Sequence, residues 1–304
     1  MAMPADRPIV VGVDGSESSL RAVDWAADEA ALRRVPLRLV FASLWERYER
    51  ARPAEDPGEP SEQVRAEDIV ETAARRAGLR RAGVKISTEV VPEEPEYTLL
   101  RESRNASLLV TGTRGRGALT EALLGSVSLT VAAHAHCPMI VVRGSHDDRA
   151  LPATHGRLVV GVGGGAGPTA GAEEKHTSAA AVRFAFEEAR RRGVEVEAVR
   201  AWRCPAHETT DHPLLAGEPA RLHEQRAAEA LEHVVRDAPA DVGLKRRTAE
   251  GHARDVLVDA SRDADLLIVG ARRRERHFGL QLGRVTHGVL HRSTCPVVIV
   301  PDSG

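Results

Sequence analysis

The sequence predicts an α/β protein made of two tandem, doubly wound parallel sheets of five strands each. Three observations support this fold class: short apolar segments alternate with helical patterns, the alternation occurs twice, and aromatic residues make up only 3% of the 304 residues. Cores with few aromatic side chains are built from Val, Leu, Ile and Ala, which suits parallel sheets covered by helices on both faces. Alternation of strands and helices implies right-handed βαβ crossovers.

The first half contains five candidate strands separated by helical patterns. In the first helical segment apolar residues recur three and four positions apart, and serines near residue 18 are available to cap it; the second is rich in Ala, Arg and Glu. The strands are predicted at 9–13, 37–44, 86–91, 108–111 and 139–142, and the helices at 18–27, 61–82, 97–104 and 127–135.

The second half repeats this plan. The apolar segment 9–13 recurs 149 residues later as 158–162, and segment 137–142 recurs 158 residues later as 295–300. One large period of this kind indicates a duplicated domain rather than a solenoid. The predicted boundaries are a first, nucleotide-binding domain over 1–144, a linker over 145–156 and a second domain over 157–304.

Charge and cysteine content exclude several classes of protein. Lys and Arg number 42 against 44 Asp and Glu, a formal net charge of −2, so no large field attracts nucleic acid or an acidic membrane surface. No window approaches the ~18 consecutive apolar residues of a membrane span, and the N-terminus lacks the apolar region of a signal peptide. The three widely spaced cysteines fit a reducing compartment, and Cys137 and Cys295 precede apolar strands and are expected in the core. We therefore expect a cytoplasmic protein without nucleic-acid or membrane partners.

Two glycine-containing turns follow two of the predicted strands in the first half. Asp14, Gly15 and Ser16 come after the first strand, and the segment 112–117, GTRGRG, comes after the fourth. In an open parallel sheet, ligands bind at the carboxyl ends of the strands where the strand order reverses, so the two turns should meet at one crevice. Glycines there allow backbone N–H groups to approach phosphate oxygens.

The start of a helix completes this predicted phosphate site. A helix N-terminus favours anions, and serine hydroxyls are hydrogen-bond donors. Arg114 and Arg116 add positive charge, while Asp14 can accept hydrogen bonds from a sugar or hold a metal near the phosphates. An Asp-Gly-Ser turn or a glycine-rich loop alone is a weak signal, so the prediction depends on their combination. The helix opens with Gly125, Ser126, Val127 and Ser128.

The combined pattern resembles the ATP-binding signature of the universal stress protein family. The match is Gly112-x2-Gly115-x9-Gly125-Ser126, with Asp14 in the place of the family's strand-1 aspartate, and the resemblance covers nearly the whole chain as two copies. It implies a Rossmann-like fold, similar to that of the adenine nucleotide alpha hydrolases, in which Asp14 and Gly112 contact the adenosine part of ATP. The phosphate contacts that the resemblance implies are Gly115, Gly125, Ser126, Val127 and Ser128, beside Arg114.

The resemblance also implies a function. Family members that bind ATP generally act as regulators or sensors with slow or no turnover, so we expect an ATP-binding protein of the stress response. Mg²⁺ would arrive with the nucleotide, with Asp14 as an indirect partner, and a protein partner of unknown identity would respond to occupancy. The family pairs its domains along the last strand, here 139–142 with 297–300, within one chain or in a homodimer.

Two other functions stay open at this point. One is an ATP-hydrolysing or adenylyl-transferring enzyme of related fold, although such enzymes need an S-G-G-x-D-S loop where this chain has VDGSES at 13–18. The other is a scaffold that binds no nucleotide.

The second half departs from the pattern of the predicted site. A long side chain at position 273 should block the approach of the backbone to phosphate, so we expect weak or absent ATP binding in this half. The segment 161–166 matches the dinucleotide fingerprint G-x-G-x-x-A, but the helical pattern begins only near Thr177, too far for the tight turn which that motif needs. Three replacements define the departure: Gly163 for Asp14, Arg273 for Gly115 and Arg284 for Ser126.

Overall fold

The chain forms two compact units, Met1–Leu151 and Pro152–Gly304, each an α/β fold around five parallel strands. This confirms the predicted fold class. No helix within the described part of the chain is both long and apolar enough to cross a membrane. The computed structural model describes residues 7–44, 61–113, 124–143, 155–163, 172–204, 218–271 and 282–301.

The first unit has the strand order β3-β2-β1-β4-β5, and all neighbouring strands are parallel. Its strands are β1 (Ile9–Gly12), β2 (Leu37–Ala42), β3 (Ile86–Val91), β4 (Leu108–Gly112) and β5 (Met139–Val142), and its helices are α1 (Glu17–Arg33), α2 (Glu62–Arg80), α3 (Pro95–Glu102) and α4 (Ser126–His134). Because β2 and β3 lie on one side of β1 whereas β4 and β5 lie on the other, the strand order reverses between β1 and β4. A crevice is therefore expected at the carboxyl ends of these two strands.

The second unit has the equivalent order β10-β9-β6-β7-β8, also fully parallel. Its strands are β6 (Arg157–Gly161), β7 (Glu195–Trp202), β8 (Leu244–Glu250), β9 (Leu266–Ala271) and β10 (Val297–Pro301), and its helices are α5 (Ala172–Arg192), α6 (Glu218–Val234), α7 (Ala253–Ala260) and α8 (Arg284–Arg292). The predicted start of α5 near Thr177 is wrong. The first residues of this helix, AEEKH, include strong helix formers but lack the apolar spacing from which the prediction was made.

The cores consist mainly of aliphatic strand residues. Every residue of β4 and β5 is buried, whereas β3 has a mostly exposed or half-buried sequence, ISTEVV. The continuous burial of β4 and β5 suits strands that are covered on both faces. Trp25 on α1 is only 2% exposed and is the largest buried side chain of the first unit. Each fully buried aliphatic side chain contributes about 1.5–3 kcal/mol relative to an exposed one.

Ionic pairs join α1 to α2. Asp28 is 1% exposed and accepts hydrogen bonds from Nε of Arg80 at 3.0 Å and from Nε of Arg81 at 2.7 Å. One turn earlier, Asp24 accepts from Arg76, with 2.6 Å between Oδ2 and Nη2. A buried carboxylate without a partner costs several kcal/mol, so these arginines are needed to keep the aspartates between the helices.

The first helix of each unit ends in a left-handed residue. In the first unit this residue is Arg34 (φ 57°, ψ 43°), and in the second it is Gly193 (φ 66°). The two positions correspond, because in each unit the N–H of the following residue donates to the carbonyl five residues earlier at 3.1 Å. These bonds are Val35 to Ala30 and Val194 to Ala189. Glycine adopts this conformation without strain, whereas an L-residue is strained by about 1–2 kcal/mol.

Arg34→Gly should therefore stabilise the protein. Relief of the left-handed strain, about 1–2 kcal/mol, exceeds the greater chain entropy that glycine gives the unfolded state, about 0.5–1 kcal/mol, so we expect a net gain of about 0.5–1 kcal/mol. Urea denaturation measures the free energy of unfolding. The matched variant Gly193→Arg should lose stability, and a less stable Arg34→Gly protein would contradict the explanation.

Candidate functional site

Asp14 organises the turn between β1 and α1. Its Oδ1 accepts hydrogen bonds from the Ser16 N–H at 3.0 Å and from the Ser16 hydroxyl at 2.6 Å, across Gly15, whose φ is 79°. Ser16 in turn caps α1 by accepting from the Ser19 N–H at 3.2 Å. Asp14 is half-buried, and Oδ1 is the oxygen of its carboxylate that holds the turn.

Gly112, the last residue of β4, lies against the backbone of α1. A Cβ at this position would be 2.5 Å from the Ser18 carbonyl oxygen and 2.6 Å from its carbon. The next residue, Thr113, places its Oγ1 3.2 Å from the Ser18 hydroxyl. Only a residue without a side chain allows β4 and α1 to approach this closely, so Gly112 has a packing role in addition to the predicted ligand contact.

Two hydrogen bonds hold the N-terminus of α4 at the exit of β4. The N–H of Gly125, the N-cap residue, donates to the Thr113 carbonyl at 2.7 Å. The buried hydroxyl of Ser128 donates to the Gly112 carbonyl at 2.9 Å. These bonds place the first turn of α4 beside the strand-order reversal, at the carboxyl ends of the strands, where Asp14 also lies.

The structure thus brings together most of the residues predicted from sequence. Asp14 lies at the exit of β1, Gly112 lies at the exit of β4, and the remaining described residues form the start of α4: Gly125, Ser126, Val127 and Ser128. Ser126 is exposed and Val127 is half-buried. Because the Ser128 hydroxyl donates to the Gly112 carbonyl, only the backbone N–H of Ser128 remains as its predicted phosphate contact. Arg114 and Gly115 lie outside the described residues.

The second unit keeps the scaffold of this arrangement but changes its chemistry. Thr286 Oγ1 donates to the Gly270 carbonyl at 3.4 Å, as Ser128 does to Gly112. Where the first unit has Asp14, Gly163 presents only a carbonyl, which accepts from the Ser178 hydroxyl at 3.1 Å and from Arg200 Nη1 at 3.3 Å. The end of β6 therefore lies beside a guanidinium and lacks the carboxylate.

Sequence reasoning missed Arg200. It lies on β7 and is only 7% exposed, and its counterpart in the first unit is Phe41, because Val13 and Val162 donate equivalently to Val40 and Val199, at 3.0 and 2.9 Å. Charged residues also occur in β2, β6 and β8, so Arg200 does not stand out in the sequence. Among the described residues, no group of three or more His, Cys, Asp or Glu side chains is placed to hold a metal ion.

Two cysteines are buried in the cores, as predicted. Cys137 is 4% exposed and Cys295 is fully buried, and burial raises the pKa of each thiol to about 12 because the thiolate loses its hydration. Cys204 is half-buried. The two buried residues are structural and unsuited to nucleophilic chemistry.

Gly112→Ala should destabilise the first unit. The added methyl group meets the backbone of Ser18 and forces a shift of β4 or α1, so we expect a loss of about 1–3 kcal/mol in the free energy of unfolding. Gly83→Ala is a matched control, because a Cβ there meets nothing within 4 Å. Equal stability of the two variants in urea denaturation would contradict the packing role of Gly112.

Alkylation should distinguish the cysteines. At pH 8 a thiol with a pKa of about 12 is ionised to about one part in ten thousand, and it is also shielded from reagent. Treatment of the folded protein with iodoacetamide should therefore modify Cys204 first, as read by mass spectrometry of peptides, whereas the denatured protein should react at all three. Modification of Cys137 or Cys295 at the rate of Cys204 would contradict this assignment.

Comparison with known proteins identifies the family. The model of the universal stress protein family matches residues 7–143 and 170–301. Universal stress protein Rv1996 of Mycobacterium tuberculosis is 32% identical over 311 aligned residues, which cover 96% of this chain and 94% of that protein. A universal stress protein of solved structure from Archaeoglobus fulgidus shares the fold with a TM-score of 0.66 and 16% identity, over 97% of this chain and 98% of that one. A universal stress protein solved in complex with cAMP aligns with 46% of this chain and 98% of its own, at 30% identity and a TM-score of 0.35. The family matches both halves, and the chain therefore belongs to the universal stress protein family, of which it contains two domains in tandem.

Proposed function

We propose that this chain is a regulatory protein that binds ATP in its first unit and turns the nucleotide over slowly or not at all. The observation that carries the proposal is the anchored N-terminus of α4, which Gly125 and Ser128 fix beside Gly112 at the strand-order reversal. Asp14 lies at the carboxyl end of β1, the strand next to β4. Protein groups suited to phosphate and to nucleoside therefore lie on the same side of the sheet, where the strand order reverses.

The start of α4 suits the phosphates. The N–H groups of Ser126, Val127 and Ser128 lack acceptors within their own helix, and the end of the helix dipole adds about half a positive charge. Ser126 is exposed, so its hydroxyl is accessible to a phosphate oxygen. Gly115 and Arg114 belong to the proposed site on the basis of the sequence motif alone.

Asp14 suits the nucleoside. One of its oxygens holds the capping turn, and the other can accept a hydrogen bond from a ribose hydroxyl or a base N–H. Mg²⁺ fits this arrangement only as an ion that arrives with ATP, because Mg²⁺ commonly takes its oxygen ligands from phosphates, water and one or two carboxylates. Asp14 would be its indirect partner.

The second unit lacks this combination. Gly163 supplies no carboxylate, and the Arg200 guanidinium is buried at the corresponding strand end. We therefore propose one nucleotide per chain. A nucleotide-dependent regulator also requires a partner protein that detects whether the ATP site is occupied. We propose that the chain acts in the cytoplasm. The pairing of 139–142 with 297–300, within a chain or between two chains, remains part of the proposal.

Ser126→Asp tests the site. A carboxylate at the first position of α4 interacts favourably with the helix dipole, so the fold should keep its stability, but it repels the phosphates, and we expect ATP affinity to fall at least about tenfold. Isothermal titration calorimetry with MgATP measures the affinity and the stoichiometry. The matched control is Arg284→Asp at the equivalent position of α8, which should leave binding unchanged. Loss of affinity in the control alone would place the site in the second unit.

Turnover separates the regulator from the enzyme. Release of ADP or AMP by the pure protein should stay below about a few per minute, far under the usual range of enzymes. Faster release would contradict the regulatory proposal and favour an ATP-hydrolysing or adenylyl-transferring enzyme. No bound ATP in freshly purified protein, together with a flat calorimetric titration, would instead favour a scaffold.

A further inference from the structure

A concave surface lies at the amino ends of the strands of the first sheet, on the opposite side from Asp14, which follows the carboxyl end of β1. It is a cavity of about 540 Å³, formed where α1 and α2 end and where the chain enters β2 and β3. Its cationic lining residues are Arg34, Arg80, Arg81 and Lys85, and the other residues that line it are small or apolar. We call it the basic cavity.

Two of the four cationic side chains that line the basic cavity are held in place by a buried carboxylate. Arg80 and Arg81 are fixed by the buried Asp28, at 2.7 Å in each case, which orients their guanidinium groups. Arg34 and Lys85 are exposed, and neither side chain has an ion-pair partner among the described residues. Among the described residues, the four cations and Asp28 leave a charge of about +3, since Asp24, 3.9 Å from Arg80, is matched by Arg76. The C-terminal dipoles of α1 and α2, about −0.5 each, reduce this charge to about +2.

Attraction to a helix C-terminus is an ordinary reason for basic residues, but it does not explain this set. Arg34 occupies a left-handed position that favours glycine, and the second unit has Gly193 there. Lys85 precedes a strand rather than ending a helix, and its counterpart is also a glycine, because Leu37 donates to the Lys85 carbonyl at 2.9 Å as Val196 does to Gly243 at 2.8 Å. The first unit thus has cations at two places where the second unit has no side chain.

We propose that the basic cavity binds a small molecule with a pyrophosphate or bisphosphate group. The volume lies in the range of small-molecule sites, about 300–1,000 Å³. Arginine forks match phosphate oxygens, and guanidinium groups held by Asp28 lose little freedom on binding. The excess of positive charge selects ligands with two or more negative charges over singly charged ones. A ligand here explains why a strained arginine stands at the end of α1.

Inorganic pyrophosphate is the probe for this site. A titration of the full chain in about 150 mM NaCl, where the Debye length is about 8 Å, should shift the amide NMR signals of Arg34, Arg81 and Lys85. Arg34→Gly should weaken this binding about tenfold while raising the thermal midpoint, and Lys85→Gln should weaken it about three- to tenfold. A merely structural Arg34 would change stability without changing pyrophosphate affinity.

Two controls isolate the basic cavity. Arg104→Gln removes an exposed positive charge of the first unit that does not line the cavity, and it should leave the affinity unchanged. Ser126→Asp, which tests the proposed ATP site, should also leave the signals of Arg34 and Lys85 responsive to pyrophosphate, so the two proposals fail separately. Shifts confined to residues 126–128, an unchanged affinity in Arg34→Gly and Lys85→Gln, or an equal loss in Arg104→Gln would each overturn the proposal.

Discussion

Backbone contact between β4 and α1 at Gly112 is the constraint on which the crevice depends. Ser18 approaches this glycine so closely that no side chain fits between them. The contact brings the capped start of α1 and the exit of β4 together, and Ser128 then attaches α4 to the same residue through its carbonyl. Three elements meet at Gly112, so the geometry offered to a ligand follows from packing that the fold needs for its own stability.

Buried ion pairs contribute to the packing of the helices in this protein. With few aromatic residues available, α1 and α2 are joined partly through Asp24 and Asp28 and their arginine partners. A further buried pair, Glu29 with Arg33, recurs in the second unit as Glu188 with Arg192 at 2.6 Å. Since a buried charge needs a partner, the pairs of Asp24 and Asp28 tie α1 to α2, whereas the pairs of Glu29 and Glu188 each lie within one helix.

Sequence patterns predicted the fold well because strands of a parallel sheet are continuous apolar segments, and their order of appearance with helices leaves few topologies. They also predicted the turn at Asp14 and the helix start at Gly125, since glycine turns and helix starts are local features. They could not predict that the Ser128 hydroxyl is engaged by Gly112, or that Arg200 lies at the second crevice, because both facts depend on contacts between distant segments. The early start of α5 was missed because its first residues are helix formers without an apolar face.

Among the described residues, the hydrogen bonds that fix α4 at the exit of β4 come from within the first unit, and the equivalent bond from Thr286 to Gly270 comes from within the second. The scaffold bond is thus present in both copies, although the second copy has Gly163 where the first has Asp14. The residues that form this bond and the residue that sets the charge at the exit of the first strand are thus different positions of one small region. A substitution at the strand-end position can therefore change the chemistry that either unit offers to a ligand while the scaffold bond stays in place.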